Sequence, residues 1–396
     1  MSQPQRSEDE YMVHAFQKFP LTIVRGKGSL VWDDAGKQYL DFMTGYGVAL
    51  VGHANDAVVK AINEQAVKLI TCHGTFYNDA RSEFLEKLAR VAPRGLGKAL
   101  LTNSGTETME AAIKLARRST GRKKVVSMKG AFHGKTYGSL SATWNPKYRD
   151  PFMPLLDGFE FAEYGDPDSL SLLVNKETAA VIAEPVQGES GIIVPPPDYF
   201  ARVREICDGE GALLILDEIQ SGLGRTGKMW ASEHWGVIPD IMTVAKGLAG
   251  GVPIGAALTT PEIAGSLKGG EHTSTFAGNP LSCAAGSATL DFIVQNDLPS
   301  RAESLGNKMK DGLTQIAGKH KLVKEVRGLG LMLALQSRVD IHSQLLSAQS
   351  RGVIFAYSGR DTFRFLPALV VQPGQIESAL DVLDGVIDEE EARRFR

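Results

Sequence analysis

Between residues 98 and 260 the chain alternates short apolar runs with stretches of helical periodicity. The runs fall at Lys98–Thr102, Lys124–Met128, 179–183, 212–216, 241–245 and 254–259, each flanked by Gly, Pro or charge. Their apolar residues are continuous, not alternating, which marks strands covered on both faces. Between runs, Met109, Ala112, Ile113 and Ala116 stand at i, i+3, i+4 and i+7 and predict a helix buried along one face. The alternation predicts an α/β fold with a mainly parallel, helix-covered sheet. Past about residue 290 the pattern changes to long charged helices over 301–317 and 375–392, around strands over 325–335 and 363–371. That predicts a smaller α+β unit. No internal repeat or low-complexity tract interrupts the chain, and Pro195, Pro196 and Pro197 form a local rigid turn.

Composition narrows the partners. With 43% hydrophobic and 22% charged residues over 396 positions, disorder and coiled coil are excluded as whole-chain descriptions. Forty-three Lys and Arg against 46 Asp and Glu give a net charge of −3, too balanced to attract nucleic acid or an anionic membrane. Small molecules are the default partner. Cys72, Cys207 and Cys283 are widely spaced with no CxxC, which argues against a disulfide framework or zinc knuckle and fits a reducing cytosol. The amino terminus carries Glu8, Asp9 and Glu10 and never forms a signal-peptide core, and no run approaches the roughly 18 apolar residues of a membrane span. A cytoplasmic location is expected.

In open α/β sheets ligands sit at the carboxyl ends of strands, so the residues after each run carry the candidate chemistry. Ser104 with Glu107 forms a capping-box pattern; it reads as a well-started helix, or as a phosphate site where Gly105 and Thr106 offer amides and a hydroxyl at a positive helix end. Phe132 is either a core aromatic or a flat face for a ring, and His133 has no metal-ligand spacing around it. Asp217 closes an apolar run and needs a cationic partner, unless it simply caps the loop that follows. Lys246 closes the next run, where burial lowers an amine's pKa and activates it; an ordinary snorkelling lysine is the alternative. Gly222, Gly224 and Gly227 match the dinucleotide fingerprint, but five residues separate strand from first glycine and no amphipathic helix follows. They read as a glycine-rich loop. Arg117, Arg118, Arg122, Lys123 and Lys124 read as a solvated basic loop at the opposite end of the sheet.

A phosphate-ready helix start, a stacking aromatic, a buried Asp and a reactive Lys together describe a site for pyridoxal 5′-phosphate. Here the chain resembles a family. The segments 104–107, 132–134, 184–189, 217–220 and 224–227, with Lys246 and 273–280, look like class-III aminotransferases of fold type I, and the resemblance runs from Arg25 to Pro367. It implies a large cofactor domain over 51–290 with a mainly parallel seven-stranded sheet. A small domain would be built from 291–396 and the segment 1–50. It implies that Lys246 holds the cofactor and moves the proton, that Asp217 pairs with the ring nitrogen, and that Gln220 meets the ring hydroxyl. Phe132 and Ile219 would sandwich the ring, Gly105 and Thr106 would hold the phosphate, and His133 and Glu218 complete the set. Thr275 would come from the neighbouring subunit, making a homodimer.

In the ornithine and acetylornithine branch, a position matching Arg364 binds the glutamate carboxylate and one matching Glu189 masks it. Residues 138–149 and 45–48 are most similar to enzymes of the amino-group-carrier-protein (LysW) lysine and arginine pathways. The expected reaction moves the terminal amino group of an N-blocked ornithine or lysine to 2-oxoglutarate, with an acidic carrier protein as a further partner. Lys135 stands where the family has Arg, and Phe16 where ornithine enzymes have a tyrosine; Ser274 is the other substrate candidate. Alternatives are a γ-aminobutyrate, free-ornithine or other ω-amino acid transaminase. Outside that class stand a nicotinamide oxidoreductase using the 222–227 loop and a cofactor-free scaffold.

Overall fold

The computed structural model describes residues 2–395. Its strands in chain order are β1 Ile23–Lys27, β2 Leu30–Asp33, β3 Gln38–Phe42, β4 Lys98–Thr102 and β5 Lys124–Met128. Next come β6 Phe159–Ala162, β7 Thr178–Ala183, β8 Leu213–Asp217, β9 Ile241–Val244 and β10 Gly255–Thr259. Last are β11 Val323–Leu329, β12 Met332–Ser337, β13 Val353–Ser358 and β14 Thr362–Phe365.

Strands β4 to β10 form one seven-stranded sheet in the order β4-β10-β9-β8-β7-β5-β6. The five from β9 to β6 run parallel, while β10 is antiparallel to both neighbours. Every residue of β7 is buried, as its unbroken apolar sequence predicts. Helix Gly105–Thr120 crosses the sheet on Met109, Ala112, Ile113 and Ala116, all buried. Burying Met109 and Ile113 contributes about 1.5–3 kcal/mol each. Gly121 ends that helix in the left-handed region at φ 68°.

The second sheet, β1-β2-β3-β13-β14-β12-β11, combines both ends of the chain. Its seam is a parallel pairing of β3 with β13, in which Leu40 faces Val353. Helices Leu298–Lys319 and Pro373–Phe395 lie against each other and bound this unit. Buried Val244, Leu248, Leu298 and Leu333 belong to one continuous apolar cluster, so the two sheets share a core.

Several elements differ from expectation. Residues 325–335 are not one strand but the β11–β12 hairpin, which turns at Gly330 with φ 52°. The run 363–371 leaves the sheet after Phe365; Leu366 and Leu369 are buried loop residues whose amides donate to Phe42 O and Leu50 O at 2.8 Å each. Strand β6 escaped notice because its Phe-Glu-Phe-Ala sequence is a short edge pattern. The boundary at 290/291 cuts helix Pro280–Gln295; the break between elements lies at Asp297, φ 42°. The basic cluster is solvated only in part: Arg118 and Lys123 are exposed, whereas the other three are engaged. Arg117 lies 5.2 Å from the Phe159 ring centroid, Arg122 Nη1 donates to the carbonyls of Thr178, Glu210 and Gly211, and Lys124 pairs with Glu160 at 2.8 Å.

Candidate active site

The carboxyl ends of β5, β7, β8 and β9 converge on a cavity of about 280 Å³ whose walls include Thr106, Phe132, Asp217, Ile219 and Lys246. Asp217, the last residue of β8, is buried at 5% exposure. Its side-chain partner is an imidazole: His133 Nδ1 donates to Asp217 Oδ2 at 2.7 Å, and the Ile219 amide donates to Oδ1 at 3.0 Å. Asp217 thus caps the loop and holds the His133 ring. The other ring nitrogen, His133 Nε2, is buried with no partner among the described residues.

Lys246 follows β9 with φ 39°, a left-handed conformation that is strained for a residue with a side chain. Burial pulls its ammonium below the usual lysine range and Arg364 adds to this, while Glu189 and Asp217 oppose it. The amine makes no hydrogen bond or ion pair among the described residues and lines the cavity. A recessed, unpartnered amine with a depressed pKa is a nucleophile and proton carrier.

The helix start at Gly105 forms the third side. Ser104 Oγ accepts from the Glu107 amide at 3.3 Å, but the Glu107 carboxylate reaches back to the Asn103 amide at 2.6 Å, one residue earlier than a capping box requires. Thr106 Oγ1 sits in a cluster with Ser139 Oγ at 2.6 Å, Thr136 Oγ1 at 2.9 Å and the Lys135 amide at 3.2 Å. Gly134, φ 130°, lies against this cluster, where a Cβ would come within 2.6 Å of Ser139 Oγ and Thr106 Cβ. Gly105 faces Ile219, whose Cδ1 would lie 3.0 Å from an added Cβ.

Two buried carboxylates flank the site, and only one of them lines the cavity. Glu184 accepts from the Phe132 amide at 3.0 Å and the Gly188 amide at 2.8 Å, and burial raises its pKa to about 7, with neighbouring Asp217 adding to the rise. Glu218 turns away from the cavity: its oxygens accept from Ser221 Oγ and the Ser232 amide, both at 2.7 Å. It is thus a loop brace in this structure and not a cavity wall, because side chains alternate in direction past the strand end.

On the substrate side, Arg364 of β14 is fully buried. Nη1 donates to Glu189 Oε1 at 2.9 Å and Nη2 to Gln220 Oε1 at 2.7 Å, while Nε has no partner among the described residues. Burial opposes ionisation of Glu189, yet Arg364, Lys246 and Lys135 outweigh it and hold the carboxyl below its usual range. Gln220 Nε2 donates to Tyr46 O at 3.2 Å, and the Tyr46 ring centroid lies 5.5 Å from the Arg364 guanidinium. Tyr46 is presented by four successive left-handed residues, Thr44 φ 48°, Gly45 φ 63°, Tyr46 φ 60° and Gly47 φ 92°. Burial raises the Tyr46 hydroxyl pKa to about 12.

Phe132 and Glu189 line both the inner cavity and an outer one of about 970 Å³, walled also by Tyr46, Tyr148 and Tyr357. Lys135 Nζ lies over the Tyr148 ring at 4.6 Å, and Phe132 meets Tyr148 edge-on with centroids 5.8 Å apart. Phe16 is not at either cavity; it is 69% exposed, while Gln17 to Pro20 line the outer one and Phe19 packs edge-on against Tyr357. Ser274 Oγ accepts from Asn103 Nδ2 at 2.9 Å, and exposed Thr275 lines neither cavity of its own chain. Glu184, Ser139 and Tyr46 lie in the segments 184–189, 138–149 and 45–48 that carry the resemblance, but the sequence assigns none of them a role; Tyr46 carried a signal in its two flanking glycines. The 222–227 loop has no place for a dinucleotide, since Arg225 and Thr226 are buried.

The donor set suits pyridoxal phosphate: a carboxylate at the cavity base, an unpartnered amine opposite, apolar Phe132 and Ile219, and free amides with a hydroxyl at a helix start. Among the described residues no helix is long and apolar enough to cross a membrane. The family model for class-III aminotransferases matches residues 11–387. The [LysW]-aminoadipate semialdehyde transaminase of Deinococcus radiodurans is 44% identical over 396 residues, covering 98% of this chain and 91% of that protein. The acetylornithine aminotransferase of Methanopyrus kandleri is 43% identical over 375 residues, 94% and 95% of the respective chains. An ornithine aminotransferase structure from Toxoplasma gondii, described with partial occupancy of PLP at its active site, superposes with a TM-score of 0.95 at 32% identity, covering 99% of this chain and 95% of that one. The chain belongs to the class-III aminotransferases and is a pyridoxal-phosphate-dependent aminotransferase of that fold.

Proposed function

We propose that this enzyme transfers the terminal amino group of an ornithine or lysine derivative with a blocked α-amine to 2-oxoglutarate, yielding the semialdehyde and glutamate. The observation that carries the reading is Arg364, fully buried yet held by Glu189 and Gln220 beside Lys246. A guanidinium fork suits the second carboxylate of a dicarboxylic acceptor, and Glu189 satisfies it when the donor brings an uncharged methylene chain. The relatives' names supply the donor class.

Bound pyridoxal phosphate supplies an electron sink for the bond broken at the amino-bearing carbon. Lys246 would hold it, and once the incoming amine has displaced Nζ, the freed amine would take the proton from that carbon. Asp217, fixed by His133, would meet the ring nitrogen at the cavity base. Gly105, Thr106 and the adjacent hydroxyls would receive the phosphate, and Gln220, whose amide is engaged by Arg364 and Tyr46 O, would meet the ring hydroxyl by exchanging one of those partners. Lys135 stands at the junction of the cavities as a point charge for the distal end of the substrate. At the outer mouth, exposed Lys147 and Arg360 provide positive charge for an acidic carrier.

A second copy of the chain completes the site. Thr275 is exposed beside Phe276, 66% exposed, and Arg81 ties this loop to the segment bearing Phe76, 69% exposed, by donating to Gly278 O at 2.7 Å and Phe76 O at 2.9 Å. Such an apolar patch fits a subunit interface. A panel of free, acetylated and carrier-linked ornithine and lysine donors, each with 2-oxoglutarate, tests the assignment. Preference for a free α-amine, or for γ-aminobutyrate, would refute the donor class, and a visible absorbance band that persists unchanged in Lys246→Ala would refute the role of the lysine.

A further inference from the structure

The glycine-rich stretch 222–227 has no part in the cavity, yet it is among the most tightly enclosed segments of the chain. Arg225 is fully buried and makes no ion pair among the described residues. Its Nη1 donates to two carbonyls, Leu331 O at 3.0 Å and Pro367 O, while Nε and Nη2 have no partner among the described residues. Its backbone is engaged as well: the Leu331 amide donates to Arg225 O at 3.0 Å. Burial without a counter-charge lowers its pKa to about 9. A cation held at this cost is consistent with a role that packing alone would not require.

The neighbouring glycines are there because backbone meets backbone. A Cβ on Gly330 would overlap the Thr226 carbonyl carbon and approach Gly227 N to 2.7 Å. One on Gly227 would come within 3.0 Å of Glu303 Cβ, and one on Gly224 within 3.2 Å of Leu369 Cδ1. The loop therefore seats directly on the second sheet and its first covering helix.

The two carbonyls it grips lie together at the exit of β14, since continuing the β12–β14 register sets Leu331 opposite Pro367, just beyond Arg364. Leu331 immediately precedes β12, and Pro367 is three residues beyond Arg364 at the exit of β14. In the β12–β14 pairing Ala334 faces Arg364 and Leu333 faces Phe365. At its other end the same loop begins with Gln220, which accepts from Arg364 Nη2 at 2.7 Å. One short segment thus contacts Arg364 directly through Gln220 and fixes the strands that carry it through Arg225.

We propose that Arg225 is a positioning residue for the substrate carboxylate: its clamp on Leu331 and Pro367 sets the place of Arg364 relative to the cofactor cavity. The proposal rests on the reading of Arg364 as the acceptor's carboxylate site. Charge-assisted bonds to two carbonyls are stiffer than neutral ones, and a displacement near 1 Å at a binding group can cost up to about 10²-fold.

The test uses the holoenzymes of Arg225→Gln and Arg225→Lys with two readouts. The first is hydrogen exchange at the Leu366 and Leu369 amides; the second is the ratio of KM for 2-oxoglutarate to KM for pyruvate, which lacks the second carboxylate. Arg225→Gln should speed exchange at both amides and raise the KM ratio about 10-fold, with Arg225→Lys intermediate in both. Faster exchange with an unchanged ratio overturns the proposal and leaves Arg225 a staple of the fold; so does unchanged exchange. If the unsubstituted enzyme shows no preference for the dicarboxylate, the acceptor reading fails and takes the proposal with it. A preference present there and unaltered in the variants sinks the proposal alone. Should Arg225→Gln not fold, Arg225→Lys carries the same comparison.

Discussion

Replacing Glu189 by Gln probes the hold on Arg364 with the least disturbance of shape. The substitution keeps an acceptor oxygen in place and removes its charge. Arg364 has no exposed surface, and among the described residues its side-chain hydrogen-bond partners are Glu189 Oε1 at 2.9 Å and Gln220 Oε1 at 2.7 Å, with the Tyr46 ring alongside. A hydrogen bond from the guanidinium to a glutamine oxygen stays charge-assisted, so the substitution removes only the attraction of the second charge, about 1 kcal/mol. That is about fivefold in the competition for the guanidinium. The Glu189 side chain is 30% exposed, so solvent screening trims this toward about threefold. A dicarboxylate acceptor must displace Glu189, so its kcat/KM should rise by about 3–5-fold in the variant, while that of the amino donor should fall. The two half-reactions, followed separately by stopped-flow absorbance, give both numbers. Because Glu189 is held below the usual carboxylate range, it stays ionised at neutral and alkaline pH, and the effect should be flat there. Equal losses in both half-reactions, or an effect that appears only as the pH is raised, would refute the reasoning.

Glu218, with its pKa raised by burial to about 7, binds its proton more tightly in the folded chain than in the unfolded one, so it lowers stability progressively as pH rises from about 4.3 to about 7. Glu218→Gln, which can still serve Ser221 and Ser232, should remove that decline and gain up to about 3 kcal/mol above pH 7 in chemical denaturation; an unchanged pH slope would count against it. Gly134→Ala drives a Cβ into Thr106 and Ser139 at φ 130°, and should weaken cofactor retention, read by dialysis and absorbance, far more than Gly97→Ala, whose added Cβ meets nothing within 4 Å. Inactive Lys246→Ala and Thr275→Asp chains, unfolded and refolded together, should recover about a quarter of full activity if each site borrows Thr275 from its partner, and none if it does not.

Strand ends were the most legible part of the molecule. Continuous apolar runs placed β4, β5 and β7 to β10 within a residue or so, because strands buried on both faces have no polar alternation to blur them. Asp217 and Lys246 stood out for the same reason: a charge that ends an apolar run has few innocent explanations. What the chain order hid was pairing across distance. That the partner of Asp217 is His133, 84 positions away, and that Gln220 meets Arg364, 144 positions away, follows from the order of strands in the sheets, not from any local pattern. Glu218 was misplaced because adjacent residues past a strand end face opposite ways. Arg117 and Arg122 read as surface charge because nothing local shows that Phe159 and three carbonyls converge on them.

The seam between β3 and β13 dictates an order of events when the chain is made. Strands β4 to β10 lie within residues 98–259 and can assemble as soon as that stretch has emerged, whereas β1 to β3 must wait for a partner near the far end of the chain. Lys37 Nζ finds its acceptor, Ser350 O, 313 positions downstream. Until then β3 is an edge with unpaired amides and carbonyls, a template for the wrong strand from another nascent chain. Any truncation that stops before Val353 leaves that edge open permanently, so such fragments should reach a folded cofactor sheet yet aggregate through their amino-terminal hairpin.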